Sequence, residues 1–131
     1  MIHKGTSVIL QSKDGKFLLQ LRDNKKEIQS PNKWSFFGGG VEKGESPVKT
    51  AVREMNEELE LKLKEKNLSL VSLKKSRTHK HYLFLSKTKI NPSKLVLHEG
   101  QAMRLFSRKE IIFLKGVTLE VRLFFIFNKL N

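Results

Sequence analysis

The sequence predicts an α/β sandwich, a mixed β-sheet covered by helices. Three observations carry this. Short apolar runs bounded by turn residues recur through the first forty residues and again between residues 68 and 106. A single strong amphipathic helix separates the two groups, and a second apolar helical pattern closes the chain. At 131 residues the chain is long enough for one buried core, so residues 1–131 are read as one domain.

Residues 5 to 11 read as a strand, Asp14-Gly15 as a turn, and Lys16 to Arg22 as the returning strand of a hairpin. Residues 23 to 33 are polar, contain Pro31, and read as a loop. Trp34 to Phe37 resumes the apolar run, which stops at Gly38-Gly39-Gly40, where the backbone can take conformations closed to other residues. The clearest helix begins at Ser46-Pro47, a cap followed by proline at the first helical position, and runs to about Glu60. Val48, Ala51, Val52, Met55 and Leu59 give it a buried stripe. Leu68 to Leu73, His81 to Leu85, a shorter Lys94 to Leu97 and Met103 to Phe106 read as strands. Ser107 to Leu114 and Leu119 to Leu130 read as helices.

Composition narrows the class. There is no cysteine, which excludes disulfides and thiolate metal sites and fits a reducing cytoplasm. The apolar run Val8 to Leu10 is too short for a signal peptide, and Leu119 to Phe127 is interrupted by Glu120 and Arg122, so a cytoplasmic protein with no membrane partner is expected. Lys plus Arg outnumber Asp plus Glu by 26 to 13, a net charge of +13 that attracts anions. The lysines are scattered and no basic-aromatic motif accompanies them, so nucleic acid stays a secondary candidate behind a small anionic ligand.

The helix carries the chemistry. Viewed down its axis, Glu54, Glu57 and Glu58 fall within roughly a 100° arc beside the apolar stripe. Glu54 and Glu58 are four residues apart and repel. Arg53 can pair with Glu57, but one arginine does not neutralise three carboxylates, whereas a hard divalent cation with oxygen ligands would. A solvated charged face is the competing reading for three such glutamates, and the flanking residues decide against it. Gly39, five residues, Glu45, seven residues and Arg53-Glu54-Met55-Asn56-Glu57-Glu58-Leu59-Glu60-Leu61 follow one spacing. That spacing resembles the Nudix box, G-x5-E-x7-R-E-U-x-E-E-x-G-U with U a bulky aliphatic residue, and fills all its charged positions.

The resemblance covers about residues 5 to 112. Phe17 to Arg22 looks like the family's second strand with its phosphate-facing arginine, and Trp34 to Gly39 like the approach to the box. Glu99-Gly100-Gln101, with Leu105-Phe106-Ser107 and Glu110-Ile111 after it, is similar to a stretch of MutT-like members. The resemblance implies a Nudix-type α/β/α sandwich and a magnesium-dependent hydrolase, with manganese as the substitute ion. It implies a metal held by Glu57, Glu58 and the Gly38 carbonyl, with Glu54 beside it and Glu99 completing or adding a site. Glu54 is the first choice for activating water. Arg53 belongs with the catalytic helix, and Arg53 and Glu45 hold the loop to it; Gly39 is structural. Arg22 would clamp a phosphate.

Two positions depart from the pattern. The last glycine of the box is Glu60, which should strain or reshape the helix end at a modest stability cost. The family's Pro-Gly-Gly is Phe37-Gly38-Gly39. Phe37, adjoining the glycine loop, is a candidate for substrate contact, as is Phe36; Trp34 and the other phenylalanines read as core. His79 and His81 share one strand face without a third partner, so these histidines and His98 are not read as a metal site.

The expected activity is hydrolysis of a nucleoside diphosphate linked to another group, most simply a (deoxy)nucleoside triphosphate giving monophosphate and pyrophosphate. The alternatives are a nucleotide-sugar or ADP-ribose-type substrate, an RNA 5′-end pyrophosphohydrolase, and a non-catalytic nucleotide- or RNA-binding module. The intact glutamates favour an enzyme, as a monomer or homodimer.

Overall fold

A computed structural model describes residues 1–130. The chain folds as β1 (His3–Gln11), β2 (Phe17–Leu21), β3 (Trp34–Ser35), β4 (Phe37–Gly40), α1 (Pro47–Leu59), β5 (Ser69–Lys75), β6 (His79–Lys87), β7 (Ala102–Phe106), α2 (Arg108–Phe113) and α3 (Leu119–Phe127). The strands form one mixed sheet in the order β3-β2-β1-β6-β5, with β4 also paired to β1 and β7 to β2. β1 and β6 run parallel over nine register pairs, and the other pairings are antiparallel.

The centre of this sheet is split. β1 and β2 share only the pairs Leu10↔Leu18 and Gln11↔Phe17, then diverge. The chain from Trp34 to Gly40 fills the wedge, placing Ser35 against Gln20 and Gly38 against Ser7. The buried Gln20 amide donates to the Phe36 carbonyl at 3.2 Å and ties the wedge down. Trp34 to Gly40 is therefore two short strands, and the three glycines extend the second rather than end it. The reason is steric. A Cβ on Gly38, at φ 154°, would lie 2.1 Å from the Thr6 carbonyl oxygen, so only glycine lets these backbones pair.

Strand alternation divides the core into two layers. Val8, Leu10, Leu18, Phe37 and Phe84 face α1 and meet Ala51, Met55 and Leu59, all three at 0% exposure. Each large side chain of this stripe contributes about 1.5–3 kcal/mol by leaving water. Ile9, Phe17, Leu19, Leu83 and Phe106 face the other way, onto Ile111 of α2 and Val121, Phe124 and Phe125 of α3. Phe36 joins this second layer edge-on to Phe124, while Phe37 belongs to the first.

α1 starts as expected, with Ser46 accepting from the Lys49 N–H and Pro47 in the first turn. It ends at Leu59, and Glu60 is left-handed at φ 54° with its N–H on the Asn56 carbonyl at 2.9 Å. α3 ends at Phe127, short of Leu130. The strand expected at Lys94 to Leu97 does not form. A short 3₁₀ turn, Pro92–Lys94, leads into extended chain. There Leu95 and Leu97 pack on the α1-side core, while Val96 and His98 donate backbone N–H groups to Leu59 and Glu58. The alternation buries side chains as a strand would, but the hydrogen bonds go to a helix end.

Gly38→Ala should cost about 2–3 kcal/mol through forced separation of β4 from β1. Urea unfolding measures this; an unchanged midpoint would show that the strands do not approach this closely.

Candidate active site

Arg53 organises one side of the site. Its Nε and Nη2 grip Glu45 at 2.7 and 3.0 Å, Nη1 reaches Glu54 at 3.0 Å and Glu57 at 3.1 Å, and Nη2 donates to the Gly40 carbonyl at 3.1 Å. Thr50, fully buried, donates to Glu45 Oε1 at 2.6 Å, the oxygen that Nη2 of Arg53 also reaches. These contacts hold the Glu45 carboxyl down to about 2, with the Arg53 hydrogen bond the largest cause and Thr50 the next. The loop carrying Glu45 is thus locked to α1 and to the end of β4.

Glu58 is the opposite case. It is 8% exposed, and its Oε2 accepts from the Gly38 N–H at 3.2 Å. Burial pushes its carboxyl up to about 8, and the charges of Glu54 and Glu99 add to this, against smaller opposing effects of the Gly38 N–H and Arg22. Glu54 is also raised, first by burial, with Arg53 opposing. Glu54 lies directly on Gly39, where a Cβ would meet its Oε1 at 2.3 Å. Gly39 is structural in that sense: no side chain fits beneath the carboxylate.

Glu99 reaches the site from outside the helix. It borders a cleft of about 560 Å³ with Gln20, Arg22, Gly38, Gly39 and Glu58. Its neighbours fix it there. The His98 N–H donates to the Glu58 carbonyl at 3.0 Å, and the His98 ring meets Glu60 at 2.7 Å. Gly100 donates to Asp23, and the Gln101 amide donates to the Arg22 carbonyl and to Asn32, both at 2.8 Å.

Gly38, Gly39, Glu54, Glu58 and Glu99 therefore come together, while Glu57, its side chain 57% exposed, turns to Arg53 at the rim. Among the described residues no group of three or more His, Asp or Glu side chains is already spaced to hold a metal ion. Glu54 and Glu57 are taken up by Arg53 and Glu58 by Gly38. The donor set nevertheless fits a hard cation. Its groups are carboxylate and carbonyl oxygens, and the buried Glu58 has carboxylates near it but no cationic side chain bonded to it.

A second cleft, about 530 Å³, lies on the other side of the Gly38–Gly40 strand, and Arg22, Gly38 and Gly39 border both. The Arg22 Nε donates to the Gln29 carbonyl at 2.8 Å, which ties it to the 23–33 loop. Phe37 borders this cleft but is only 1% exposed within the α1-side core, so it presents almost no surface to a ligand. The sequence reading missed three residues here. Ser7, His81 and Glu120 converge, with Ser7 Oγ 2.8 Å from His81 Nε2 and Glu120 Oε2 2.9 Å from the same nitrogen. They come from β1, β6 and α3, and no spacing along the chain signals them.

A mixed sheet between helices, with a glycine wedge beneath a glutamate-bearing helix, defines a Nudix hydrolase. The family model of the NUDIX domain matches residues 1–123, and the chain belongs to this family. Its members act on small nucleotide substrates and generally use divalent metal ions. The fold is similar to that of a MutT NUDIX hydrolase from Burkholderia pseudomallei, with TM-score 0.77, 18% identity, and 96% and 97% of the two chains covered. It is similar also to a MutT protein from Methanosarcina mazei Go1, with TM-score 0.74, 19% identity, and coverage of 95% and 91%. A NUDIX-family hydrolase from Clostridium perfringens matches with TM-score 0.73, 17% identity, and coverage of 96% and 94%. No curated protein sequence matches the chain significantly. No helix among the described residues is long and apolar enough to cross a membrane.

Glu60 is both strained and employed. Replacing it with glycine relieves roughly 1 kcal/mol of left-handed strain but removes the exposed His98 pair, worth about 0.2–1 kcal/mol. Glu60→Gly should therefore leave the melting temperature unchanged or slightly raised. A clear fall in calorimetry would show that the pair to His98 outweighs the strain.

Proposed function

We propose that the chain hydrolyses a nucleoside triphosphate to the monophosphate and pyrophosphate with Mg2+, or Mn2+ in its place. The observation that carries this reading is the buried Glu58 carboxylate. It borders the cleft with the exposed Glu99, and the half-buried Glu54 lies near enough to act on its charge, in a protein whose net charge is +13. A buried carboxylate with other carboxylates near it is costly unless a cation joins it, and such a cation would also offset the repulsion of phosphate by these glutamates.

Glu57, Glu58, the Gly38 carbonyl and Glu99 would hold the ion, with Glu54 adjacent. Bound there, it supplies charge neutralisation on the diphosphate oxygens and lowers the pKa of water. Glu54 accepts the proton of the attacking water; its burial raises its carboxyl and makes it a better base than an exposed glutamate. Arg53 orients Glu54 and Glu57 while bracing Glu45, so it is a positioning residue. Arg22 borders both clefts and supplies a guanidinium to the phosphates between them. The nucleoside occupies the second cleft, where Ser7, His81 and Glu120 offer hydrogen-bonding groups beside Leu119. Attack within this arrangement breaks the bond between the α and β phosphates.

Chromatography of the products formed from a triphosphate panel with Mg2+ tests the reading, with Glu58→Gln assayed beside the wild type. Monophosphate and pyrophosphate are expected, and the variant should fold but lose at least about two orders of magnitude of turnover. Diphosphate and inorganic phosphate would overturn the cleavage site. Turnover restricted to sugar- or ADP-ribose-linked compounds would overturn the triphosphate. A fully active Glu58→Gln would remove the helix as the metal site.

A further inference from the structure

The charge excess is not evenly spread once the sheet is assembled. No Asp or Glu occurs before Asp14 or between Glu65 and Glu99, and these two stretches supply β1, β5 and β6, which lie side by side. Their register sets Lys4 directly opposite Lys80, and Lys80 directly opposite Lys75. Side-chain alternation puts the three on the α1 face of the sheet, in the row beyond Thr6, Tyr82 and Leu73. With neighbouring strands about 4.8 Å apart, the row is about 10 Å wide.

Like charges directly opposite across strands repel. None of the three lysines takes part in an ion pair among the described residues, and Lys4 and Lys75 are exposed. Arg77, in the turn joining β5 to β6, adds a fourth cation at the same end. The sheet itself provides no counter-charge, so a polyanion from outside is the complementary occupant. The row behind the lysines is not charged. It holds the half-buried ring of Tyr82 and the exposed Leu73, with Leu70 at 51% exposure further along the same edge strand. A cationic row bordered by an aromatic and aliphatic row matches a chain that alternates phosphates with flat apolar bases.

We propose that Lys4, Lys80 and Lys75 form a docking strip for the sugar-phosphate backbone of a single-stranded nucleic acid, with a base against Tyr82 and Leu73. An unpaired strand is required because bases stacked within a duplex cannot reach the tyrosine. Ser7 and His81 of the second cleft face the other side of the sheet, toward Glu120 of α3, so the strip is separate from that cleft. Strand binding does not depend on which nucleotide the active site hydrolyses.

The test is fluorescence anisotropy of a 5′-fluorescein-labelled unstructured 15-nucleotide oligouridine across a series of salt concentrations. Three proteins are compared: wild type, Lys4→Gln/Lys75→Gln/Lys80→Gln, and a control of equal charge, Lys62→Gln/Lys64→Gln/Lys66→Gln. Wild type should bind, and the strip variant should lose at least about tenfold in affinity, with its log–log salt slope reduced by about 2. The control should stay within about twofold of wild type. Mononucleotide hydrolysis and the melting temperature of the strip variant should not fall, because only mutual repulsion is removed. Wild-type dissociation constants weaker than about 100 µM would overturn the proposal. So would equal losses in both variants, which would mean that net charge alone acts. Strip-dependent binding of phosphatidylserine vesicles without oligonucleotide binding would overturn it as well.

Discussion

All five N–H groups of the Arg53 guanidinium are engaged, on Glu45, Glu54, Glu57 and the Gly40 carbonyl. Loop, strand end and helix meet at this one planar group. Its bidentate hold on Glu45 ties the 41–46 segment to α1, and its contact with Gly40 ties α1 to the sheet. The remaining donors keep Glu54 and Glu57 from splaying apart into solvent. A lysine could not make these contacts together, because it lacks the rigid fork. Removing the guanidinium would release the acidic cluster and the glycine strand under it.

The site is then a balance between two kinds of glutamate. Glu45 is charged and satisfied, and its role ends with the scaffold. Glu58 is buried against a single backbone N–H, near Glu54 and Glu99, and its charged form is disfavoured there. The glycine wedge makes this possible, since Gly38 and Gly39 let β1 and Glu54 approach the same short strand from its edge and its face. A proline in place of Phe37 would stiffen the entry to this strand. Here the Phe37 side chain anchors that entry instead, by filling the α1-side core.

Much of this was legible in the chain. The Ser46-Pro47 cap, the apolar stripe of α1 and the glutamate spacing are local signals, and local hydrogen bonds and packing realise them. The left-handed Glu60 was legible too, because only a helix stop explains that place in the pattern. What escaped depends on distant partners. Leu95 and Leu97 alternate like strand residues, yet the backbone N–H groups of Val96 and His98 between and after them bond to the end of α1, and nothing near them in sequence reveals those acceptors. Phe37 looked available beside flexible glycines, but the pleat turns it inward. Ser7, His81 and Glu120 meet only because β1 and β6 are parallel neighbours under α3. The lysines of residues 4, 75 and 80 look scattered until the register lines them up.

On the proposed function, the Glu58 cluster binds a divalent cation with its own side chains, before any substrate arrives. Mn2+ titration followed by electron paramagnetic resonance of the free ion measures this on the protein alone. Saturable loss of the free-ion signal is expected in the wild type, reversed by excess Mg2+, with loss of that binding in Glu57→Gln/Glu58→Gln and the fold retained by circular dichroism. Equal Mn2+ binding by the wild type and the double variant would contradict it.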